Sequence, residues 1–410
     1  GFMALFATFN TLENLVKPIF KSYQNEDSSF QVDGFASLSL LYLTFATCLW
    51  FVPSVISIIG PRYTIIISSL GYSVYAASFF VVNVWVVYGA AVVNGISAAL
   101  LWTGEGNYII LNSTSTSVSR NTSIFWVFYK CSLFFGNIFA FFALNGKSHI
   151  DSSTRSVIII VLLVVSVIGN ILLLLLKKPV HADSRKNDCK VSVIEAFRKA
   201  IKIAITPNML LLSVMFCFVG FQVAVHSGIY SGAVGFSHQL GYDSKKLIPL
   251  VGICIGLGEV LVSGIISLCG TKISKRRYGK IYVVFMGITV ECLAFALIIL
   301  NIPDEATFGD TDKRSYIDSS LPLSLLSGGM IGFGDGCYTS QIFSLLEIMY
   351  PKDSPQTVAL FNCIYGIGTA VFFYLSTCIG LHTQMVLMIV FGVLGVSSFA
   401  IVTFKVQDHQ

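Results

Sequence analysis

The sequence predicts an all-α membrane protein with twelve transmembrane helices arranged as two six-helix bundles. Hydrophobic residues make up 55% of the 410 positions and charged residues only 11%, whereas soluble domains carry roughly 25% charged residues. Long apolar runs recur along the whole chain, and one long basic connector divides them into two sets. A chain of this composition lacks the polar surface that a soluble protein needs, so we predict that it is embedded in a lipid bilayer.

Twelve candidate spans follow one another along the chain. Most contain about 20 residues or more, which is enough for a helix to cross ~30 Å of hydrocarbon. The predicted spans are 1–19, 36–58, 63–82, 85–110, 122–144, 155–176, 208–230, 246–270, 281–301, 320–346, 356–378 and 384–404. The sequence starts inside the first span, so we expect that helix to be truncated at its N-terminal end.

The connector at 177–207 defines the predicted domain organisation. It is rich in lysine and arginine, and it ends in an amphipathic stretch in which Lys199 and Lys202 lie opposite an apolar face. Such a stretch either lies along the membrane surface or forms a solvated linker helix. The predicted parts are an N-terminal bundle at 1–176, a cytoplasmic linker at 177–207, a C-terminal bundle at 208–404 and a cytoplasmic tail at 405–410.

The distribution of basic residues predicts the orientation. When the central connector is placed in the cytoplasm, 17 lysines and arginines fall on the cytoplasmic side, eight of them in the connector itself, and 8 fall on the opposite side, as the positive-inside rule favours. Several acidic residues gather instead in the loop before span ten, on the opposite side. Both termini are therefore predicted to be cytoplasmic, in a protein integral to the plasma membrane or an endomembrane.

The two halves share short patterns at corresponding places. Span two ends I-I-G-P-R and span eight ends L-C-G-T-K, while span four carries G-E-G and span ten carries G-D-G. Six plus six spans around a basic cytoplasmic loop is the layout of the major facilitator superfamily fold, in which two bundles face each other across a central cavity. The loop after span two lacks the longer charged gate motif of sugar and drug carriers, which weakens the case for an ordinary transport cycle.

Ionisable residues inside apolar helices are the first candidate functional residues, because a charge in hydrocarbon costs several kcal/mol. Glu105 lies near the cytoplasmic end of span four, and Lys130 lies about two turns into span five. We predict an ion pair between them across adjacent helices. Alternatively, Lys130 extends to the headgroups, and Glu105 reaches interfacial water or pairs with Arg62 or Arg120.

The C-terminal half contains three acids at mid-depth with no matching basic residue in the same helices. Asp335 lies between two glycines in span ten, Glu259 lies in span eight and Glu291 in span nine. Acids at this depth are expected to be protonated, to share a proton, or to hydrogen-bond as neutral groups. We predict that they line the cavity and bind protons, with Asp335 the strongest candidate and with Glu13 of span one and Glu105 of span four as further ones. The glycines beside Asp335 equally suit close helix packing.

Polar side chains complete the predicted cavity. The first span of each half commonly lines the pathway in this fold, which favours polar residues of span seven. The candidates of span seven are Gln222, His226 and Tyr230, and further candidates are Asn107 of span four and Asn137 of span five. A lone histidine near a helix end is more often a satisfied interfacial residue than a pH switch, and that is the expectation for His226.

No enzyme chemistry is predicted. The sequence lacks a Walker loop, zinc-ligand spacing, and the HExxH and GxSxG motifs in a suitable context. The glycine-rich pieces within spans follow no strand, so they serve helix packing rather than nucleotide binding. The net charge of +5 reflects membrane topology, and we predict no cofactor, no metal and no nucleic acid.

Several motifs resemble those of one family of membrane proteins. They are W-T-G-E-G-N-Y at 102–108, I-G-P-R at 59–62, S-G-I-Y at 227–230, I-G-L-G-E at 255–259 and I-G-F-G-D-G-C at 331–337. Together with S-R-N-T-S-I-F-W and S-L-F-F-G-N around span five, they make the chain similar to the uncoordinated-ninety-three family of major-facilitator-like proteins over essentially its whole length. Members of that family usually carry an amide at the position of Glu105.

Two functions follow from these observations. The resemblance implies an accessory protein, since characterised relatives regulate a two-pore potassium channel or escort nucleic-acid-sensing receptors to endosomes. Its partners would be the lipid bilayer and a potassium channel or receptor subunit. The alternative is a proton-coupled secondary transporter of a small solute, in which the acids of spans eight to ten are protonated as the solute crosses. The resemblance favours the accessory role, and the embedded acids favour the transporter.

Overall fold

The computed structural model describes residues 1–81, 83–114, 117–147, 149–179, 193–241, 243–276, 278–351 and 353–408. Across these residues the regular structure is helical, apart from an isolated β-bridge between Ser237 and Thr311. Nine of the described helices are long and apolar enough to cross a membrane, by length and composition. The prediction of an all-α protein with multiple membrane-spanning helices is confirmed at this level.

The described helices fall into two sets, on either side of residues 180–192. The helices before these residues are α1 (Phe2–Glu26), α2 (Gly34–Cys48), α3 (Val52–Ser78), α4 (Val84–Leu111), α5 (Val118–Ala143) and α6 (Ser152–Leu174). The helices after them are α7 (Val193–Ala204), α8 (Pro207–Ala224), α9 (Tyr230–Phe236), α10 (Leu247–Lys275), α11 (Gly279–Asn301), α12 (Leu321–Met349), α13 (Ser354–Leu375) and α14 (Leu381–Asp408). Every predicted span overlaps at least one of these helices. Residues 180–192 of the predicted linker lie outside the described residues.

The boundary between the second and third predicted spans is a sharp turn rather than a loop. α2 ends at Cys48, and α3 continues from Val52 past Gly60, where φ is 79° and ψ is 157°. This positive φ favours glycine, and Pro61 removes an amide donor that an unbroken helix would use. The G-P-R pattern, predicted as a loop, therefore turns the chain directly from one helical segment of α3 into the next.

A five-residue π-helix, Val225–Ile229, joins α8 to α9 without interrupting the helical path. The predicted span at 208–230 accordingly extends to Phe236. A π-turn adds one residue to a helical turn, displaces the side chains from the regular register, and is frequent at functional sites. His226 lies in this turn, so it is inside a long helical element rather than near a helix end as expected.

Glycines allow α10 and α12 to pack at backbone distance. A Cβ atom on Gly332 would overlap the backbone carbonyl of Ile255, and one on Gly258 would overlap that of Gly329. Lipid tails are as apolar as leucine, so helices in a bilayer associate through close packing of this kind rather than through a hydrophobic driving force.

Helices from the two sets pack directly against each other. α2 packs on α13, where Ser39 Oγ donates a 2.7 Å hydrogen bond to the carbonyl oxygen of Ala370. α5 packs on α10, and α1 packs on α9 and on the π-helix. The buried apolar residues form one continuous cluster that extends through both sets. Polar side chains at these contacts therefore lie in the interior, between the two halves of the chain.

Large apolar side chains cover the outer faces of the helices. Ile58, Trp85 and Leu268 are 82%, 84% and 85% exposed. A soluble protein with such a surface would associate or aggregate, whereas lipid acyl chains satisfy it. The exposure pattern agrees with a multi-pass membrane protein.

Candidate functional site

The centre of the candidate site is an ion pair between α5 and α10. Lys130 Nζ on α5 is bonded to Glu259 Oε2 on α10. The Glu259 side chain is 3% exposed and that of Lys130 is 31% exposed, so the pair is buried on one side only. The prediction that Lys130 pairs with Glu105 is wrong, because the face of α5 that carries Lys130 meets α10 rather than α4.

Two further ionisable side chains lie beside this pair. A ring nitrogen of His226 and carboxylate oxygens of Glu259 and Asp335 all lie within 4.8 Å of one another. These residues come from the π-helix, α10 and α12, so three separate elements converge here. Lys130 is close enough to Asp335 for their charges to interact as well.

Lys130 and Glu259 bond to each other, whereas Asp335 and one ring nitrogen of His226 form no hydrogen bond with the described residues. Asp335 is 8% exposed, and among the described residues its carboxylate forms no hydrogen bond or ion pair. The Nδ1 atom of His226 is buried and likewise has no partner among the described residues. Buried polar atoms are normally hydrogen-bonded. We refer to Lys130, His226, Glu259 and Asp335 as the central cluster.

Glu291 lies inside the C-terminal half, and both of its carboxylate oxygens accept hydrogen bonds. Its Oε1 accepts a hydrogen bond from Gln222 of α8, and its Oε2 accepts one of 2.8 Å from Tyr338 Oη of α12. The residue is 0% exposed, and a Cβ atom on Gly334 would overlap its side chain. Both carboxylate oxygens therefore have protein partners, and Glu291 does not share a hydrogen bond with Glu259. Gln222 was predicted to line the cavity. In the structure its amide nitrogen bonds to Glu291, within the same network.

Glu13 lies where α1 meets α2 and the π-helix. Tyr42 Oη donates a 2.7 Å hydrogen bond to Glu13 Oε1, and the Tyr42 ring stacks on Phe373 of α13 at 5.9 Å. Glu13 is 4% exposed, and a Cβ atom on Gly228 would lie 3.2 Å from its backbone carbonyl oxygen. Glu13 therefore lies between α2 of the N-terminal half and the π-helix of the C-terminal half.

A chain of polar side chains links α9, α1 and α5. Ser231 Oγ donates a 3.1 Å hydrogen bond to Asn14 Oδ1, and Asn14 Nδ2 donates one of 3.5 Å to Asn137 Oδ1. Asn137 Nδ2 also donates to the Leu133 carbonyl oxygen at 2.8 Å. Asn137 is thus a polar residue at the contact between the halves.

Three predicted candidates lie away from the central cluster. Glu105 is half-buried in the last two turns of α4 and is not one of the ion-paired residues of the described chain. Asn107 is exposed, and its side chain donates a 2.8 Å hydrogen bond to the Thr103 carbonyl of its own helix. Tyr230 is fully buried and donates a 2.7 Å hydrogen bond to the Ser324 carbonyl, within the C-terminal half.

Sequence reasoning did not select Tyr42, Tyr338 or Ser231. Tyrosines and serines are common in membrane helices, and hydropathy does not distinguish one that bonds a buried acid from one that faces lipid. Tyr338 bonds to Glu291 of α11, so its spacing from Asp335 along α12 gives no signal of this contact. The partner of Tyr42 lies on another helix, which no local pattern encodes.

The fold and the site together define a class. The chain is a multi-pass helical membrane protein with a transporter-like fold of the major facilitator type, and acids, a lysine and a histidine lie between its two halves. Two solved structures support this fold. A nucleoside transporter, NupG, is similar with a TM-score of 0.69 and 14% identity over 98% of both chains. A POT family transporter in complex with 5-aminolevulinic acid has a TM-score of 0.71 and 12% identity, over 99% of this chain and 95% of that one.

The chain belongs to the UNC-93 family. The family model described as ion channel regulatory protein UNC-93 matches residues 26–400. The UNC93-like protein MFSD11 of Xenopus laevis is 34% identical over 100% of this chain and 95% of its own length, and that of Xenopus tropicalis is 33% identical over 97% and 93%. The UNC93-like protein 3 of Arabidopsis thaliana is 20% identical over 95% of this chain. The family predicted from the motifs is confirmed, and it is not an enzyme family.

Proposed function

We propose that this protein is a proton-coupled secondary transporter of a small solute, with twelve transmembrane helices in two six-helix bundles and both termini in the cytoplasm. The observation that carries the proposal is the Lys130–Glu259 ion pair, which joins the N-terminal half to the C-terminal half within the hydrophobic region. An ionisable residue at this depth is expensive and is usually retained for function.

The central cluster supplies the elements of a coupling device. Glu259 is a carboxylate whose partner belongs to the other bundle, so protonation of Glu259 removes the charge that holds Lys130. Movement of one bundle against the other separates α5 from α10 and breaks the same contact. Asp335 lies beside both groups and is a second proton acceptor. Proton binding and bundle movement are thereby linked through one pair of atoms.

The solute would pass along polar groups that lie between the halves. Glu13 with Tyr42, and Asn14 with Asn137, are placed between α1, α2, α5 and the C-terminal half. These groups offer carboxylate, phenol and amide contacts to a small polar solute. Glu291 has a scaffolding role in this proposal, since its oxygens are already bonded.

Proteoliposome assays test this function directly. The purified protein is reconstituted with a pH-sensitive dye inside, and a mixture of nucleosides and dipeptides is added outside, because nucleoside and peptide transporters have this fold. We expect solute-dependent acidification that is lost in Glu259→Gln and retained in Glu291→Gln, a matched removal of a buried acid from the same half. If no solute of this mixture or of a wider metabolite set moves protons through the wild-type protein, the transporter proposal is wrong.

An accessory role is the second candidate, and a groove on the outer surface favours it. The groove has a volume of about 590 Å³ and lies between α3 and α6, with apolar walls that include Leu70 and Val167. Asn170 lines it, donates a hydrogen bond to Ser73, and has a buried Oδ1 atom with no partner among the described residues. A transmembrane helix of a channel or receptor subunit would fill this groove and cover its apolar walls.

Co-purification from native membranes in mild detergent tests the accessory role. The partner subunit, identified by mass spectrometry, should be lost in Val167→Trp, which fills the groove. It should remain bound in Val164→Trp, which enlarges an exposed residue of α6 outside the groove. A partner that is lost equally in both variants, or in neither, excludes this groove as its docking site.

A further inference from the structure

Three of the four residues of the central cluster have the chemistry of a metal site. His226 offers an imidazole nitrogen, and Glu259 and Asp335 offer carboxylate oxygens, with all three donor atoms within 4.8 Å of one another. Donor atoms bound to one zinc-sized ion at about 2.0–2.2 Å lie at most roughly 4 Å apart. The three donor atoms therefore need to approach one another by only about 1 Å to bind the same ion.

Two of these side chains have a carboxylate or a ring nitrogen that forms no hydrogen bond with any residue that the structure describes. The carboxylate of Asp335 is in a residue that is 8% exposed, and it bonds to none of the described residues. The buried Nδ1 atom of His226 has no partner among them either. A buried acceptor left unsatisfied costs roughly 1–3 kcal/mol. His226 Nδ1 is such an atom, and a cation held between the two carboxylates and a ring nitrogen of His226 would accept lone pairs from all three side chains.

We propose that His226, Glu259 and Asp335 form a binding site for a divalent transition-metal ion. The mixture of one imidazole and two carboxylates suits zinc, manganese, iron(II) or cobalt(II), whereas magnesium and calcium prefer oxygen ligands alone. The two carboxylates balance the charge of the ion once the histidine is neutral. His226 is placed for this role by the π-helix, whose extra residue sets its direction relative to α10 and α12.

Lys130 competes with the metal for Glu259. The ammonium group of Lys130 is bonded to the Glu259 carboxylate. Its positive charge also repels a cation bound a few ångströms away. Lys130 is 31% exposed at its side chain, so it has room to turn away from the carboxylate. The site therefore has two states, one with Lys130 bound to Glu259 and one with the metal ion bound there.

Metal binding itself does not depend on the proposed transport function. If that function also holds, the divalent ion is the solute or the coupling ion, and this further step rests on it. Binding is measured on the purified protein in detergent, without a gradient, whereas transport is measured in liposomes. Failure of the metal-site proposal is therefore distinguishable from failure of the transport proposal.

The test uses tag-free, chelator-treated full chain and measures zinc and cobalt(II) binding by competition with a fluorescent indicator. We expect about one ion per chain, with affinity reduced at least about tenfold in His226→Ala and in Asp335→Asn, since each removes a ligand. Lys130→Met should raise the affinity by roughly tenfold or more, because it removes the competing charge. His238→Ala is the matched control, since His238 lies against Asp310 and Asp312 at 3.2 and 3.1 Å in an exposed loop.

Several results would overturn the proposal. They are no saturable binding below millimolar metal, loss of binding in His238→Ala with retention in His226→Ala, or unchanged affinity in Lys130→Met. If His226→Ala is not monodisperse in detergent, His226→Cys replaces it, because a thiolate keeps a ligand in place. That variant should still bind zinc and should bind cadmium more tightly than the wild type does; equal cadmium affinity in the two proteins contradicts the assignment of His226.

Discussion

Glu259 on α10 holds the ammonium group of Lys130 on α5, and this contact joins the two halves of the chain inside the hydrophobic region. Removing one partner of a buried ion pair leaves an uncompensated charge and typically costs about 3–5 kcal/mol. Lys130 is partly exposed, which lowers the expected cost here. The pair therefore contributes to the position of the two halves and is weak enough to be broken and remade.

The first prediction concerns the stability of this pair. Lys130→Met should lower the free energy of unfolding by about 1–3 kcal/mol, because Glu259 is 2% exposed and loses its counter-charge. The double variant Lys130→Met/Glu259→Gln should recover most of that loss. Thermal unfolding in detergent with chelator present measures both. Lys147→Met, which removes an exposed i,i+4 pair with Asp151, is the control and should change stability by less than about 0.5 kcal/mol.

The second prediction separates the two candidate functions. Asp335→Asn keeps the shape of the side chain but removes its charge and its ability to bind a proton. A transporter should lose solute flux while its surface abundance stays normal. If the variant instead supports a partner channel or receptor at the wild-type level, the central cluster is dispensable and the accessory role is favoured. Surface biotinylation provides the abundance measurement in both cases.

The third prediction assigns Glu291 a structural role. Tyr338→Phe removes the 2.8 Å hydrogen bond to a fully buried carboxyl group, which should lower stability by about 1–3 kcal/mol. Flux per folded molecule should be unchanged. Tyr42→Phe removes the corresponding bond to Glu13, between the halves, and should reduce flux as well. Equal effects of the two substitutions on flux would refute the distinction drawn between these acids.

The fourth prediction concerns helix packing. Gly332→Ala places a Cβ atom against the Ile255 carbonyl, so α12 must move away from α10, and stability should fall by about 1–3 kcal/mol. Gly264→Ala in α10 meets open space, with no other atom within 4 Å, and should be neutral or slightly stabilising. Thermal unfolding and yield of monodisperse protein measure the difference. Similar stability of both variants would contradict the close approach of these helices.

The fifth prediction uses the N-cap of α6, outside the membrane-spanning segment. Hydrogen bonds from Thr154 and Ser153 lower the pKa of Asp151 from its ordinary value. Because the folded-state pKa is depressed, this stabilisation is present above the unfolded-state pKa of about 3.9 and is lost as the pH falls through the lower folded-state value. Asp151→Ala should cost about 0.5–2 kcal/mol at neutral pH. The difference in unfolding free energy between the variant and the wild type should shrink below about pH 4. A difference that grows there would contradict the role of Asp151 as the N-cap of α6.

Much of the fold could be predicted from the sequence. Hydropathy located the membrane-spanning helices because a helix in lipid satisfies its own backbone and must be apolar over its whole length, which is a local property. The motifs around Glu105, Glu259 and Asp335 identified the family for the same reason, since each is contiguous in the chain. The predicted helix boundaries differ from the observed ones where backbone conformation decides them, as at Gly60 and at the π-helix that carries His226.

The partners of the buried polar side chains were decided by the tertiary structure. Lys130 was predicted to bond to Glu105 because their helices are adjacent in sequence, yet it bonds to Glu259, because the orientation of α5 about its axis directs Lys130 toward the other half. The separation of Glu291 from the central cluster and the approach of His226 to Asp335 depend in the same way on helix rotation and packing. The sequence by itself determined the class, the family and which residues are buried acids. Which of those acids meet is decided by distances between helices remote in the chain, and these have no local signature.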